Sequence, residues 1–219
     1  MNIIRKLVSQ TATYGLSSII GRLLNYLLVP IYTRVFLPEE YGVVTELYAY
    51  VAFFAVILTY GLETSYFRFV SNQDLTQKDK NTVYSTSLIS LILTSSMFLL
   101  IIYFLSHDIA SAIGYSENIK YIEWLSIIIA LDAVSSISFA RLRNEDRALR
   151  FTCIRILNIL VNISLNLYFI LYLKHGIEYV FIANLISSLI TIILLFPQMF
   201  GTSLVFNMRL WKKMMIYAF

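Results

Sequence analysis

The chain has little of what soluble enzymes and small secreted proteins depend on. Its 219 residues include one cysteine, Cys153, and two histidines, and only 14% of the residues are charged. A lone cysteine forms no internal disulfide, and with two histidines it supplies no Cys/His metal cluster. Because soluble domains carry about 25% charged residues, this composition excludes a soluble enzyme, a disulfide scaffold and a nucleic-acid-binding domain.

Recognisable catalytic motifs are also missing from the sequence. It contains no Gly-x-Ser-x-Gly, no His-Glu-x-x-His and no glycine-rich phosphate loop, and it has seven glycines in all. We therefore expect that the protein is not an enzyme and that it binds neither a cofactor nor a metal ion.

Long apolar runs take up most of the chain. Apolar residues make up 58% of it, and the mean hydropathy is +0.73. A membrane-spanning helix needs about 20 predominantly apolar residues. Six runs meet that length, at residues 12–32, 43–66, 84–105, 119–139, 151–173 and 177–200. The predicted fold class is an all-α membrane protein, a bundle of six transmembrane helices joined by short polar segments such as 71–82 and 141–150.

Lysine and arginine are distributed unevenly between the two sides of the predicted bundle. With the N-terminus inside, twelve basic residues fall on the cytoplasmic side and three on the outer side. The twelve are Arg5, Lys6, Arg68, Lys78, Lys80, Arg141, Arg143, Arg147, Arg150, Arg209, Lys212 and Lys213, and the three are Arg34, Lys120 and Lys174. Such an excess marks the cytoplasmic side. Both termini are therefore predicted to be cytoplasmic, and the net charge of +4 requires no nucleic-acid partner.

Polar residues within the predicted spans indicate which helix faces avoid lipid. Arg22 lies near the middle of the first span, where an arginine costs about 2.5–3.5 kcal/mol on insertion scales. It should face a water-filled cavity, or else an acidic partner such as Glu46, Glu63 or Asp132. Pro30 lies in the same span and should kink it.

Two further arginines and two asparagines complete the candidate substrate site. Arg155, Asn158 and Asn162 fall on one face of the fifth span, and Arg68 lies near the cytoplasmic end of the second. With Arg22 they would line a cationic cavity, and guanidinium groups bind phosphate through forked hydrogen bonds. Two alternatives stay open. Arg68 and Arg155 could extend to the membrane surface, although the asparagines on the same face favour an inward position for Arg155. The polar stripes of the third and sixth spans could serve helix packing alone.

Three stretches of the chain resemble a family of bacterial transporters. LVPIYTRVFLPEEYGVVTELY at residues 28–48 contains a proline, a Thr-Arg pair and a Pro-x-x-Tyr-Gly turn. GLETSYFRF at 61–69 closes the second span, with Ser65 where alanine is commoner, and ARLRNEDRALRF at 140–151 joins the fourth span to the fifth. In these stretches the chain resembles the bacterial polysaccharide and oligosaccharide flippases, the O-antigen and teichoic-acid exporters related to multidrug and toxin extrusion transporters.

This resemblance implies two lobes of six or seven helices around a central cavity. The substrate would be a polyprenyl-pyrophosphate-linked oligosaccharide, which crosses the bacterial cytoplasmic membrane with its pyrophosphate drawn to the cavity arginines. Residues 1–200 would form one lobe, and residues 201–219 a basic cytoplasmic linker with the start of a seventh span. The partners would be the lipid-linked sugar, membrane lipid and a second lobe. That lobe would belong to the same full-length chain, of which this sequence is a fragment, or to a second copy of a half-size protein.

Two other functions are compatible with a multi-span chain that has polar faces. A multidrug or ion-coupled extrusion transporter should carry a carboxylate ion site in its first span, and residues 12–32 contain neither aspartate nor glutamate. A membrane scaffold without transport activity would use its polar stripes for helix packing alone. The composition of the first span favours the flippase over the extrusion transporter.

Overall fold

The computed structural model describes Leu23 and residues 26–71, 75–201 and 203–218. Within these ranges all regular secondary structure is helical, which confirms the all-α prediction. The helices are α1 (Val29–Val35), α2 (Pro38–Thr59), α3 (Leu62–Val70), α4 (Gln77–Ala112), α5 (Ile119–Asn144), α6 (Ala148–Leu167), α7 (Glu178–Phe200) and α8 (Met208–Ala218). A π-helical turn, Tyr168–Tyr172, follows α6.

Five segments of the described chain are long and apolar enough to cross a membrane. They are Pro38–Val70, Gln77–Ala112, Ile119–Asn144, Ala148–Tyr172 and Glu178–Phe200. These segments correspond to the second to sixth predicted spans, so the chain is a multi-pass membrane protein. The first predicted span, residues 12–32, lies outside the described residues except for Leu23 and residues 26–32.

The described end of the first predicted span is not one continuous helix. Leu27 and Leu28 form a turn, and α1 begins at Val29 with Pro30 in its first turn. Proline has no N–H, and in the first turn of a helix that loss removes no hydrogen bond. Pro30 therefore starts a new helix after a turn, whereas the sequence predicted a kink within a span.

The second predicted span, residues 43–66, is divided between two helices. α2 ends at Thr59, and Tyr60 and Gly61 have positive φ angles of 33° and 66° before α3 begins. A left-handed backbone interrupts the regular rotation of 100° per residue. The second predicted span therefore consists of two helices, and positions in α2 and α3 do not share one helical repeat.

Two helices extend into segments that were expected to be loops. α4 begins directly after Thr76, inside the predicted connection 71–82. Thr76 Oγ1 accepts a hydrogen bond from the Asp79 N–H at 3.3 Å, and Asp79 Oδ2 accepts one from the Thr76 N–H at 3.0 Å. This capping box satisfies backbone donors at the start of the helix. Similarly, α5 continues to Asn144, inside the predicted connection 141–150. Hydropathy locates the apolar part of a helix, whereas capping groups fix its ends.

The chain divides into two compact units. Unit 1 combines Met1–Tyr48 with Leu142–Thr191, and it contains α1, the first half of α2, α6 and most of α7. Unit 2 combines Ala49–Arg141 with Ile192–Phe219, and it contains α3, α4, most of α5 and α8.

Apolar contacts in unit 2 involve the first turns and the middle of α5. Leu58 of α2 packs with Ile129 and Ala133 of α5. Farther along, Ile102 of α4 packs against Ile122 of α5. In the most apolar stretch of α5, 72% of the residues are buried inside the protein, compared with 17–39% in the other candidate spans. Of the described spans, α5 is therefore the one least available to lipid.

Candidate functional site

The asparagine face of α6 lies against α7 in unit 1. Asn158 Nδ2 donates hydrogen bonds to the Ser187 carbonyl oxygen at 3.0 Å and to Thr191 Oγ1 at 2.9 Å. Asn162 Nδ2 donates to Ser187 Oγ at 3.4 Å. The amide donors of both asparagines are thus directed at α7, and they hold the two helices together.

The same row of amides continues to α1. Asn166, only 1% exposed, donates to Asn162 Oδ1 at 3.1 Å and accepts a hydrogen bond from the Tyr32 hydroxyl at 2.8 Å. On α7, Asn184 Nδ2 donates to the Tyr48 hydroxyl of α2 at 2.9 Å. Hydrogen bonds of this kind contribute about 0.6–2 kcal/mol each between membrane helices. Their tyrosine acceptors and donors could not be identified from the sequence, because they come from segments more than a hundred residues away.

Arg155 lies one turn before Asn158 on α6 and is exposed. Its guanidinium Cζ is 5.8 Å from the centre of the Phe151 ring, within the range of a cation–π contact. Arg143 Cζ approaches the same ring at 5.9 Å. Phe151 thus brings two guanidinium groups together near the start of α6, and the sequence analysis had placed only Arg155 in the candidate site.

Two carboxylates on the spans, those of Glu46 and Asp132, are also exposed. Glu46 lies about 12 Å along α2 from its start, and Asp132 lies about 20 Å along α5. A charged side chain at membrane depth avoids lipid, because its transfer into hydrocarbon costs several kcal/mol. Contact between these two carboxylates and lipid is therefore unfavourable.

A basic groove lies between α3 and α8 in unit 2. It has a volume of about 770 Å³, and its lining residues are Arg68, Phe69, Ser71, Lys213, Ile216 and Tyr217. Arg68 Cζ is 6.0 Å from the centre of the Tyr217 ring, and that ring meets the Phe69 ring edge-on at 6.4 Å. We refer to this feature as the α3–α8 groove. Arg68 and Lys213 line the same groove, and the sequence alone does not place Lys213 in the site.

Buried hydroxyl groups on α3 and α4 hold the segment that contains α8, and α8 packs on both helices. Ser65 Oγ donates to the Met214 carbonyl oxygen at 2.9 Å. Ser90 Oγ accepts from Trp211 Nε1 at 2.8 Å and lies 2.7 Å from the Tyr60 hydroxyl. Further contacts join Ser85 Oγ to the Val205 carbonyl oxygen at 2.7 Å and Thr86 Oγ1 to the Asn207 N–H at 3.2 Å. Ser90 therefore helps to pack α8 on α4, which is one of the two roles that the sequence leaves open for the hydroxyl stripe of the third span.

Replacement of Ser90 by alanine is expected to destabilise unit 2. The Trp211 N–H would lose its acceptor, and the loss of such a hydrogen bond costs about 0.5–1.5 kcal/mol. Ser95→Ala is the matched control, because Ser95 Oγ on the same helix is buried with no hydrogen-bond partner among the described residues. Thermal unfolding in detergent should show a lower midpoint for Ser90→Ala and an unchanged or higher one for Ser95→Ala. Equal midpoints would mean that the Trp211 contact contributes no stability.

Arg141 was expected in a connection, and the structure buries it at the end of α5. It is 8% exposed, and its Nη1 donates to the Gln198 carbonyl oxygen at 3.2 Å. Nη2 donates to Asn81 Oδ1 at 3.4 Å, and Cζ lies 4.4 Å from the centre of the Tyr84 ring. No local pattern marks this role, because the partners come from α4 and α7. The prediction of residues 141–150 as a loop is wrong for Arg141.

One protein family matches the sequence of nearly all of the described residues. The sequence profile of the polysaccharide biosynthesis protein family matches residues 31–219 of the chain. The chain belongs to this family. Membership links it to polysaccharide biosynthesis and confirms the family resemblance that the motifs at residues 28–48 and 61–69 predicted. Searches of curated proteins and of solved structures gave no match.

In this polysaccharide biosynthesis protein the predicted site residues fall into three groups. Arg155, Asn158 and Asn162 share one helix in unit 1, where the asparagines bond α7. Arg68 lies in unit 2 and lines the α3–α8 groove. Arg22 lies outside the described residues.

Proposed function

We propose that this polysaccharide biosynthesis protein is a flippase, a transporter that moves a polyprenyl-pyrophosphate-linked oligosaccharide across the bacterial cytoplasmic membrane. The family match over residues 31–219 carries the proposal, since it connects a multi-pass membrane chain with polysaccharide biosynthesis. A sugar chain and a pyrophosphate cannot enter hydrocarbon without losing their hydrogen bonds to water. A lipid-linked sugar therefore needs a protein route with a polar lining.

Exposed charges on the spans support a second lobe. Glu46, Asp132 and Arg155 are exposed on α2, α5 and α6. Lipid cannot satisfy such groups. In the proposed transporter each of these faces meets water or a second lobe, which comes from the same full-length chain or from a second copy. Transport would then follow from one lobe rocking against the other.

Arg22 and Arg155 are the proposed cations for the pyrophosphate. Arg155 belongs to unit 1, and a guanidinium can hold two phosphate oxygens at once. Asn158 and Asn162 act in this proposal as positioning residues, because their bonds to α7 fix the helix that carries Arg155. Transport breaks no covalent bond, so the protein in this proposal is a transporter without enzymatic activity and needs no cofactor.

The sidedness of the lipid-linked oligosaccharide tests the proposed function. In a strain that lacks the transporter, the sugar should accumulate on the cytoplasmic face of the membrane, out of reach of a lectin added to spheroplasts. Expression of the full-length protein should make the sugar accessible to the lectin from outside. Unchanged sidedness in the deletion strain would contradict the proposal, and cellular accumulation of a cationic drug would favour an extrusion transporter instead.

Orientation in the membrane has its own test. Both termini are proposed to be cytoplasmic, which places Gln77 inside and Ser116 outside. The experiment requires a Cys153→Ala background, because the native thiol is exposed. A membrane-impermeant maleimide should label Ser116→Cys in intact cells, and Gln77→Cys only after permeabilisation. Labelling of Gln77→Cys in intact cells would reverse the orientation.

A further inference from the structure

We infer that the α3–α8 groove is a binding site for the phosphate headgroup of an anionic membrane phospholipid. This inference goes beyond the proposed transport. It also assigns Arg68 to a resident lipid, whereas the sequence analysis placed that residue at the pyrophosphate of the transported substrate.

Uncompensated positive charge in the groove is the first argument. Arg68 and Lys213 come from different helices and line the same groove. Within the described part of the chain neither of them forms an ion pair, and none of the described lining residues is acidic. Two cations arranged in this way attract an anion that can accept several hydrogen bonds, and phosphate does so.

The Arg68 side chain and the backbone of Lys213 are held in place before any ligand arrives. The guanidinium of Arg68 lies over the Tyr217 ring at 6.0 Å, and the edge of the Phe69 ring supports Tyr217. The hydrogen bond from Ser65 Oγ to the Met214 carbonyl oxygen fixes α8, and with it Lys213, against α3. A site ordered in advance binds more tightly, because less side-chain entropy is lost on binding.

Apolar surface beside the cations indicates a ligand with acyl chains. Ile216 is 81% exposed and Tyr217 is 50% exposed, and both line the groove next to Lys213. α8 carries Arg209 and Lys212 as well, so the helix is both basic and amphipathic. Helices of this kind lie at the membrane surface, where they attract anionic lipids. Headgroup and acyl chain would thus each find a matching surface.

The lining favours a phospholipid over the lipid-linked sugar. A sugar needs many hydrogen-bond partners, and the described lining residues include no amide and no carboxylate. The hydroxyl of Ser71 already donates to the Phe67 carbonyl oxygen at 2.7 Å. A phosphodiester with acyl chains requires only the cations and the apolar side chains that the groove offers.

Lipid titration of the full-length protein in detergent tests the inference. The probe is dioctanoyl phosphatidylglycerol, and bound lipid is counted by native mass spectrometry. Lys213→Ala should weaken binding at least about tenfold, because it removes a hydrogen bond between a charged group and the phosphate. Lys212→Ala removes the same charge from the neighbouring position outside the groove and should change binding by no more than about fivefold, the effect of general charge attraction. Lys213→Arg should retain binding, and Lys213→Gln is a second neutral variant if the alanine variant does not fold.

Competition experiments identify the ligand. Equal losses in Lys212→Ala and Lys213→Ala would reduce the effect to general charge attraction and overturn the inference. Displacement of the lipid by equimolar inorganic phosphate would overturn it too, since acyl chains would then contribute nothing. Tighter binding of a polyprenyl pyrophosphate, with the same sensitivity to Lys213→Ala, would assign the groove to the substrate and equally overturn it. Phosphatidylglycerol binding that persists when lipid-linked sugar is not transported would leave the inference intact while the proposed function fails.

Discussion

Arg22→Ala is expected to abolish transport by the full-length protein while its abundance in the membrane stays near normal. An arginine near the middle of a span has no favourable contact with lipid and should face a hydrated cavity. Loss of a hydrogen bond to a charged group costs about 1.5–3 kcal/mol. That corresponds to a decrease of about 10- to 150-fold in affinity for the pyrophosphate. The lectin assay of sugar sidedness measures the loss, and immunoblotting of membranes measures abundance.

The conservative variant separates charge from geometry. Arg22→Lys keeps the positive charge but loses the planar fork that binds two oxygens, so it should restore activity only in part. Lys120→Ala is the control, because it removes a cation from an exposed position at the start of α5. It should leave transport unchanged. Full activity of Arg22→Ala would remove Arg22 from the mechanism, and a parallel loss of abundance would make its role structural.

Gly61→Ala is expected to destabilise unit 2 strongly. Gly61 has a φ of +66°, a left-handed conformation that costs other residues about 1–2 kcal/mol. An added Cβ would also lie 2.8 Å from the backbone oxygen of Ala218, a contact that backbone atoms cannot avoid by rotating a side chain. The end of α8 would have to move away from α3. Thermal unfolding measures the stability, and the fluorescence of Trp211 in a Trp124→Phe background reports the displacement of α8.

Two other glycines provide matched controls. Gly114 has a φ of +82° with nothing within 4 Å of an added Cβ, so Gly114→Ala should show the conformational cost without the clash. Gly42 lies within α2, and an added Cβ there also meets nothing within 4 Å. Gly42→Ala should therefore raise stability by up to about 1 kcal/mol. If Gly61→Ala and Gly114→Ala lose the same stability, the contact with Ala218 has no influence.

Apolar runs in the sequence were enough to predict the class and the number of described spans. About 20 predominantly apolar residues are enough to cross a bilayer, so the second to sixth spans follow from composition alone. The family resemblance was equally available, because its motifs at residues 28–48 and 61–69 are local. The positions at which helices break could not be predicted from the sequence. A proline such as Pro30 can kink a helix or begin one, and only the turn at Leu27 and Leu28 shows which.

Side-chain pairing was settled by tertiary structure, because it depends on which helices become neighbours. Asn158 and Asn162 carry the polarity expected of a substrate site, yet α7 takes up their amide donors. Lys213 was counted only as a basic residue of a linker, and the packing of α8 on α3 places it beside Arg68. Composition fixes what each helix must avoid, namely lipid contact with its polar face. Tertiary packing, which brings together residues far apart in the chain, decides whether water, a ligand or a neighbouring helix covers that face.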